Sequence, residues 1–470
     1  MKKLLLICLC IFAIGETAKA QNQVLWGLTP YGGQFGGGTL LSINNDGTGF
    51  NLMHQFQPPD GFTPFGNLLQ ASNGSLYGTC YNGGSFASCT IFRFDPSTGT
   101  YTDVYSFDIV HGDYPRSGVL EASNGKLYGA ASSGGSGFNG VIYSFDPVTN
   151  TYTDEFDFNM TTGRMPWGCP LNVNDVLYGL ASDGGAHMAG VLYSYDISTD
   201  TYTDLFDFDP ALGSNPFGSL ILAANGKLYG MASAGGINSK GVIFSFDPAT
   251  NVYAKLFDFG GANGNLPEGS LFEASNGLLY GVTKLGGMSG DGVLFSFNPV
   301  NNMYVKLIDF NGANGSVPSG ELMQGSNGKL YGSTTSGGAF TYGNMFSYDP
   351  ASGTLADLFD FSIATGYGST GTFTVVTATG IEQLNGFEGQ LSFYPNPVKD
   401  KMTLQLNFDE QKKVDIHLIN AIGEHIYSFT ENNAGIAYRK TINLSKYENG
   451  IYFLECIVDG EKTVTKLVKQ

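Results

Sequence analysis

A chain of 470 residues with 67 glycines and a formal net charge of −18 is too long for one ordinary core, so several domains or a repeat array are expected. The excess of acid lies in residues 21–390, which hold ten basic and thirty acidic side chains, whereas residues 391–470 hold ten of each. This balance argues against nucleic acid or an anionic membrane as a partner, because both attract a positive surface.

Residues 1–20 predict a cleaved signal peptide. They have a basic start at Lys2 and Lys3, an apolar run over 4–14 and a small-residue end at Ala18 and Ala20, which are the three parts of a secretory signal. The mature chain is expected to begin at Gln21. No later apolar run reaches the roughly 18–20 residues that span a bilayer, so we expect no transmembrane segment in the mature chain.

Residues 21–378 repeat one unit of about 51 residues seven times. Each unit has a Leu-aromatic-Gly motif, a Gly-Gly pair and a closing phenylalanine. The aromatic residues of the motif are Trp26, Tyr77, Tyr128, Tyr178, Tyr229, Tyr280 and Tyr331, and the closing residues are Phe56, Phe107, Phe158, Phe208, Phe259, Phe310 and Phe361. A period of this length is typical of propellers and solenoids.

In four segments of each unit the residue type alternates with a period of two, as it does in strands. In the fourth full copy these segments are 218–223, 227–232, 241–246 and 251–259. Asn-Gly and Asp-Pro turns join the first to the second and the third to the fourth. The first unit lacks a first strand. Residues 369–376, which follow the seventh unit, stand at the repeat position of a first strand. The sequence therefore predicts an all-β, seven-bladed β-propeller of four-stranded blades that is closed by this C-terminal strand.

Alternation along the fourth strand predicts two faces. One face would hold Tyr152, Asp154, Phe156 and Phe158, and the other Thr153, Glu155 and Asp157. The phenylalanines are expected to pack between blades. The acid that recurs at Asp157, Asp207, Asp258, Asp309 and Asp360 is expected on a solvated outer face, in preference to a ring of metal ligands.

The Gly-Gly loops and the linkers between blades are predicted to share one face, with the hairpins on the other. The linkers keep a glycine, and in six of seven a proline three residues later, but vary elsewhere, as a binding surface would. Candidate ligand-binding residues on this face are Phe35, Phe62, Tyr81, Phe86, Tyr114, Phe138, His187, Phe340 and Tyr342. Aromatic rings in polar loops suit stacking on sugars or on a protein partner's apolar patch. The alternative is that they pack beneath their own loops.

Two cysteines, Cys80 and Cys89, flank one Gly-Gly loop. An exported protein passes through a compartment that permits disulfides, so we predict that these two residues bond. Cys169 and Cys456 are predicted to be single buried thiols.

The repeat pattern LYG-x4-GG-x5-GVIFSFDP resembles the GloVer-type tandem repeat of secreted bacterial proteins over about residues 21–378. The resemblance implies an extracellular setting and supplies no catalytic residue.

After a linker at 379–390, residues 391–470 contain seven strand-like runs, which predict a small Ig-like β-sandwich. Its motifs resemble the type A C-terminal sorting domain of the type IX secretion system in Bacteroidetes, through Tyr394, Pro395, Asn396, Pro397, Gly423, Gly450, Tyr452 and Lys466. The resemblance implies passage through the periplasm, recognition by the secretion machinery at the outer membrane, removal of the domain, and then surface attachment or release. The alternative is an ordinary binding sandwich.

The mature chain has five histidines, at His54, His111, His187, His417 and His425. None has a metal-ligand partner at helical or hairpin spacing, and HExxH, GxSxG and CxxC motifs are absent from the sequence. No metal site or cofactor is predicted. The first residues to test for catalysis are Asp60, His111, Asp113, Tyr114, Asp183 and His187.

Three functions stay open. The favoured one is a secreted or cell-surface propeller that binds a glycan or a protein. The others are a polysaccharide lyase or glycosidase, and a purely structural surface protein.

Overall fold

The structure, a computed structural model, describes residues 23–85, 88–376, 389–394, 398–408, 410–420, 425–435, 437–447, 450–458 and 461–469. The predicted signal peptide, residues 379–388 of the predicted linker, Phe86, Pro395, Asn396, Pro397 and Gly423 lie outside this part of the chain.

The described secondary structure is β, apart from one turn of 3-10 helix at Pro58–Asp60. The first three repeats supply β1 (Val24–Thr29), β2 (Thr39–Asn44), β3 (Asn51–Gln55), β4 (Phe62–Gln70), β5 (Leu76–Asn82), β6 (Thr90–Asp95), β7 (Thr100–Ser106), β8 (Leu120–Glu121), β9 (Leu127–Ala131), β10 (Val141–Asp146) and β11 (Thr151–Asp157). The fourth and fifth supply β12 (Arg164–Pro166), β13 (Leu171–Val173), β14 (Val176–Asp183), β15 (Val191–Asp196), β16 (Thr201–Asp207), β17 (Ile221–Leu222), β18 (Leu228–Ala232), β19 (Val242–Asp247) and β20 (Val252–Asp258).

The last two repeats and the segment that follows them complete the set. They supply β21 (Phe272–Glu273), β22 (Leu279–Thr283), β23 (Val293–Asn298), β24 (Met303–Asp309), β25 (Ser316–Gln324), β26 (Leu330–Ser336), β27 (Asn344–Asp349), β28 (Thr354–Asp360) and β29 (Thr374–Val375). The C-terminal segment supplies β30 (Gly389–Tyr394), β31 (Lys401–Phe408), β32 (Lys412–Asn420), β33 (His425–Ala434), β34 (Ala437–Asn443), β35 (Gly450–Val458) and β36 (Glu461–Lys469).

Each repeat forms one antiparallel sheet whose spatial order follows the chain, as in β17-β18-β19-β20. In the fourth repeat the first strand is split, and both β12 and β13 pair with β14. The first repeat differs, because its sheet has the order β29-β1-β2-β3, with Leu25 opposite Val375 and Trp26 opposite Thr374. A strand from after the seventh repeat therefore pairs with β1 as the fourth strand of the first sheet.

The chain divides into two compact units. The first holds the described residues of 1–55 and 159–375, and the second holds those of 56–158 and 376–470. Within the first unit, apolar clusters fill the space between the fourth and fifth, fifth and sixth, sixth and seventh, and seventh and first sheets. Within the second, one cluster lies between the second and third sheets. The closing phenylalanines are buried, as predicted. These four-stranded sheets have the character of propeller blades.

The third and fourth strands of every repeat sheet are interrupted by a β-bulge. In the third repeat the register shifts after Ile142, so that Asp154 lies opposite Tyr143 while Asp157 lies opposite Val141. The same shift recurs in the other six sheets. Because a bulge adds one residue to the alternation, Asp154 and Asp157 share a face. The prediction that they lie on opposite faces was wrong.

The predicted Cys80–Cys89 disulfide is corrected by the structure, in which both thiols are free and buried. Cys80 lies opposite Thr90 in the β5–β6 register. Cys89 precedes Thr90, so it projects from the other face of the sheet, where it joins the cluster against the third sheet. Two cysteines on opposite faces cannot bring their sulfur atoms together. Cys456 is buried as predicted, whereas Cys169 is only partly buried.

The C-terminal segment is a sandwich of two antiparallel sheets with the orders β30-β31-β34 and β33-β32-β35-β36. Alternate residues of the facing strands fill its core, including Leu404 and Leu406 from one sheet and Ile416, Leu418 and Leu454 from the other.

Candidate functional site

The Gly-Gly loop and the linker of each repeat lie at one end of its sheet, which we call the loop end. The fourth strand of each sheet lies at its outer edge, and we call it the outer strand. Its last residue fixes the Gly-Gly loop by a hydrogen bond: in the third repeat the Ser136 N–H donates to Asp157 Oδ1 at 2.9 Å. The same contact recurs at Asp207, Asp258, Asp309 and Asp360. The recurring aspartate thus accepts a hydrogen bond from the Gly-Gly loop instead of lying on a solvated face, because the β-bulge turns its side chain towards the loop end.

A tyrosine of the outer strand fixes the linker between blades by a hydrogen bond. The Tyr253 hydroxyl donates to the Leu212 carbonyl at 2.7 Å, and the Tyr304 hydroxyl donates to the Asn263 carbonyl at 2.5 Å. Tyr101, Tyr152 and Tyr202 bond in the same way to Asp60, His111 and Thr162. In the third to sixth repeats both the loop and the linker are therefore fixed by a hydrogen bond, which favours a rigid surface at the loop end.

The residue before the linker proline has a left-handed backbone in six repeats. These residues are Thr63, Tyr114, Met165, Asn215, Leu266 and Val317, with φ between 54° and 60°. Bulky side chains rarely adopt this conformation, which costs of order 1–3 kcal/mol. Hydrogen bonds hold it in place, as where the Val317 N–H donates to the Asp291 carbonyl and the Thr335 hydroxyl donates to the Val317 carbonyl.

The residue after that proline changes in chemistry from repeat to repeat. It is Phe65, Arg116, Trp167, Phe217, Glu268 or Ser319, although the flanking proline is fixed. None of the first five is fully buried. Since the scaffold accepts such different side chains there, their identity is free to serve binding.

In the second unit, this position contributes to an aromatic and cationic cluster. Tyr81 and Tyr114 stack with ring centroids 4.5 Å apart, and Phe65 meets Tyr81 edge-on at 5.6 Å. The Arg116 guanidinium lies 4.7 Å from the Tyr81 ring centroid and donates to its hydroxyl at 2.9 Å. We call Phe65, Tyr81, Tyr114 and Arg116 the tyrosine cluster.

In the first unit, the same position brings Trp167 and Phe217 together, with ring centroids 4.5 Å apart and planes inclined at 48°. We call this the tryptophan pair. In the next sheet Glu268 forms an ion pair with Lys284 at 3.0 Å, and Arg164 pairs with Asp183 close to the tryptophan pair in sequence. Aromatic faces beside charged groups are typical of surfaces that bind polar ligands.

The structure brings together only some of the predicted binding residues. Tyr81 and Tyr114 belong to the tyrosine cluster. Tyr342 packs on Tyr367, which also contacts the half-exposed Tyr31. Phe35, Phe138 and Phe340 lie in three different repeats and are 51%, 64% and 58% exposed. Phe62 is partly buried in β4, and His187 is exposed in a loop of the fourth sheet.

The predicted catalytic candidates have local partners that fit structural roles. Asp113 is 6% exposed and accepts hydrogen bonds from the Ser88 hydroxyl, the Cys89 thiol and its neighbour's backbone. His111 pairs with Asp108 at 2.8 Å. The charge of Asp113 raises the pKa of Tyr114, which keeps this phenol protonated and makes it a poor general base.

The outer strand of the third and fourth repeats carries a second aspartate, whose surroundings disfavour its charged form. Burial, then the charge of Asp157, raises the pKa of Asp154 to about 6, and burial with Asp207 does the same for Asp204. In the fifth and sixth repeats this position holds Lys255 or Lys306, which pairs with Asp258 or Asp309.

A groove with a volume of about 300 Å³ lies at the other, hairpin end, between the first and seventh sheets. It is lined by Asn45, Asp46, Asn327, Lys329, Ser347, Ala356 and Leu358. None of the residues that line this groove is a predicted site residue.

The sorting-motif residues that the structure describes lie on both sheets of the sandwich: Tyr394 ends β30, and Gly450, Tyr452 and Lys466 lie on β35 and β36. Tyr452 is buried in the core, and β35 begins at Gly450. Lys466 lies opposite Phe453 on β36. On this sheet His417 and His425 also approach Glu455. These three residues come from three different strands, so their proximity does not show as helical or hairpin spacing in the sequence.

A model of the Gloeobacter/Verrucomicrobia repeat matches residues 13–166, 111–277 and 270–387, which together cover most of the chain. The chain belongs to the Gloeobacter/Verrucomicrobia repeat family. A second model, of a secretion-system C-terminal sorting domain, matches residues 392–470. This member of the repeat family is therefore exported by type IX secretion, to the cell surface or into the medium. Among the described residues, no helix is long and apolar enough to cross a bilayer.

Similar solved structures support a propeller-like fold for this repeat-family chain. A protein from Bacteroides fragilis described as a candidate 6-phosphogluconolactonase is 15% identical over 76% of this chain and 99% of its own, with a TM-score of 0.54. A puromycin-hydrolysing peptidase from Mycobacterium tuberculosis is 11% identical over 80% of this chain and 57% of its own, with a TM-score of 0.50.

The extracellular domain of a candidate hybrid two-component system from Bacteroides thetaiotaomicron is also similar. It is 14% identical, with a TM-score of 0.48, over 92% of this chain. The chain spans 62% of the length of that domain. No curated protein matches the sequence.

Sequence reasoning missed Phe65, Arg116, Trp167, Phe217, Glu268 and Lys284 as site residues. The signal was present, because a position that varies between aromatic, acidic and basic residues beside a fixed proline is not explained by packing.

Proposed function

We propose that this protein is a secreted or surface-attached carbohydrate-binding propeller. Export rests on the sorting domain. The observation that carries the binding proposal is the variable residue after the linker proline, which builds the tyrosine cluster in one unit and the tryptophan pair in the other. Flat rings flanked by guanidinium and carboxylate groups suit the apolar faces and hydroxyl groups of a sugar chain.

The seven sheets close into one ring in this proposal. The pairing of β29 with β1 supports it, as does the apolar cluster between the seventh and first sheets. A repeated hydrogen bond supports it as well: the Ser275 N–H donates to Gln324 on the next sheet, and the Ser326 N–H donates to Gln23 in the same manner. A closed ring places all loop ends on one face, which we call the loop face.

Residues 1–20 are removed at the inner membrane and residues 391–470 at the outer membrane in this scheme, with 379–390 as the linker between propeller and sandwich. The mature propeller then spans about residues 21–378. Phe35, Phe138 and Phe340 would border the loop face as exposed rings.

The test is a glycan array probed with the mature chain, followed by titration of the best glycan. We expect Trp167→Ala combined with Phe217→Ala, or Tyr114→Ala combined with Arg116→Ala, to weaken binding at least about tenfold, since stacked rings contribute roughly 1 kcal/mol or more each. The matched control is Val148→Ala combined with Val300→Ala, which removes exposed apolar side chains at the hairpin end.

Equal binding by all three double variants would exclude the loop face as the glycan site. Capture of a protein without any glycan binding would instead assign the same face to a protein ligand.

A further inference from the structure

The sorting sandwich carries a side-chain cluster that the export function does not use. His417 lies on β32 directly opposite Glu455 on β35, and His425, the first residue of β33, lies opposite Ile419. Cross-strand partners share a face, and positions 417 and 419 share one as well. All three side chains therefore project from the face opposite the core residues Ile416, Leu418 and Leu454.

The three side chains meet at close range. Each offers one ligand atom, and these atoms lie within 4.8 Å of one another. The two imidazole rings have centroids 5.0 Å apart and are inclined at 70°, so they do not stack. Ligands of tetrahedral zinc, with bonds of about 2.0–2.1 Å, lie roughly 3.3 Å apart. Small side-chain rotations are enough to close the remaining distance.

One imidazole is already oriented. His417 Nδ1 lies 2.8 Å from the Ser428 hydroxyl on β33. When Nδ1–H donates to this oxygen, Nε2 keeps its lone pair and is available to a metal, as in zinc sites where an outer hydrogen bond fixes the tautomer.

The carboxylate of Glu455 is buried. Glu455 is 4% exposed, although it lies on the face opposite the core. A negative charge held away from water attracts a divalent cation more strongly than an exposed acid does. Two imidazoles and one carboxylate form a three-ligand set that suits zinc, with a fourth position open to water.

We propose that His417, His425 and Glu455 bind one Zn²⁺ ion on the sorting domain. The ion joins β32, β33 and β35, so it stabilises the folded sandwich while the domain is still attached to the propeller. The affinity falls as the pH is lowered, because protons compete with the metal for the imidazole nitrogens.

The test uses untagged residues 21–470, with the sorting domain still attached, first treated with a chelator and then titrated with ZnCl₂ by calorimetry at neutral pH. We expect one Zn²⁺ per chain. His425→Ala and Glu455→Gln each weaken binding by at least about 10–100-fold, the range for losing even an outer-shell partner of a metal site, and Ser428→Ala weakens it by about tenfold. The control His187→Ala removes an exposed histidine of the repeats and leaves the affinity unchanged.

Thermal unfolding separates binding from misfolding. Because His425 is exposed, its variant should unfold at the wild-type temperature without zinc and should lose the zinc-dependent increase seen in the wild type. Equal zinc affinity in the wild type and His425→Ala, or an equal loss in His187→Ala, would overturn the proposal.

Discussion

At the scale of single residues, one position of the outer strand determines whether the aspartate at the loop end has a positive or a negative neighbour. It holds Asp154 or Asp204 in the third and fourth repeats and Lys255 or Lys306 in the fifth and sixth. Both kinds of residue face the aspartate that fastens the Gly-Gly loop. The lysines form ion pairs with it, whereas the aspartates repel it.

This difference predicts a pH dependence. The pKa of Asp204 is raised to about 6, while an unfolded aspartate titrates near 3.9. A group with a raised folded-state pKa contributes stability that is fully present below about pH 4 and is lost as the pH rises to about 6. We expect Asp204→Asn to flatten the stability of the chain over this window, as measured by urea unfolding at several pH values.

The two repeats allow a reciprocal exchange. Asp204→Lys should stabilise the chain by about 0.5–1 kcal/mol at pH 7.5, because it copies the Lys255–Asp258 ion pair, which is only partly exposed. Lys255→Asp should destabilise it by a similar amount. If both exchanges changed stability in the same direction, the charge argument would be wrong.

At the scale of elements, the chain segments at or just before the first strand of neighbouring repeat sheets meet backbone to backbone. A Cβ atom added to Gly269 would lie 2.2 Å from the Gly320 carbonyl oxygen, and one added to Gly218 would lie 2.3 Å from that of Gly269. A glycine recurs at this position because any side chain would push the neighbouring sheet away.

Gly269→Ala should therefore destabilise the chain by about 1–3 kcal/mol or more through steric overlap. Two controls separate the causes, measured by the same thermal unfolding assay. Gly277→Ala meets open space but has a φ of 76°, so it should cost about 1–2 kcal/mol from backbone strain. Gly435→Ala has neither problem and should be nearly neutral. A neutral Gly269→Ala would show that the sheets are not so closely packed.

The elements also show what the sequence could and could not predict. Strand positions, the borrowed strand β29 and the buried closing phenylalanines follow from periodicity, which reports burial directly. The bulge could not be predicted, because it shifts the alternation without changing the composition, and it moved Asp157 to the loop end. The disulfide prediction failed for a related reason: nearness in sequence does not reveal which face Cys89 projects from.

The candidate sites were predicted only in part for the same physical reason. Tyr81 and Tyr114 were named as loop aromatics, but Trp167 and Phe217 are far apart in sequence and meet only because neighbouring sheets pack together. His417, His425 and Glu455 likewise come from three strands. Contacts between strands that are distant in sequence leave no local spacing to detect.

At the scale of the whole molecule, the proposed loop face depends on ring closure, because only a closed ring gathers the loop ends on one face. In the proposed ring, closure depends on Phe373, which is buried between the first and seventh sheets and would touch a Cβ added to Gly27 in β1 at 2.9 Å. Phe373→Ala should cost about 3–5 kcal/mol, as large-to-small changes in a core do.

Hydrogen exchange of the mature chain tests closure most directly, with Phe310→Ala, a change between the sixth and seventh sheets, as the matched control. We predict that the amides of β1 are protected in the wild type, that Phe373→Ala speeds their exchange at least about tenfold, and that Phe310→Ala acts mainly on β25 and β26. Exchange in β1 that is already fast in the wild type, or is unchanged by Phe373→Ala, would contradict the closed ring and the loop face that depends on it.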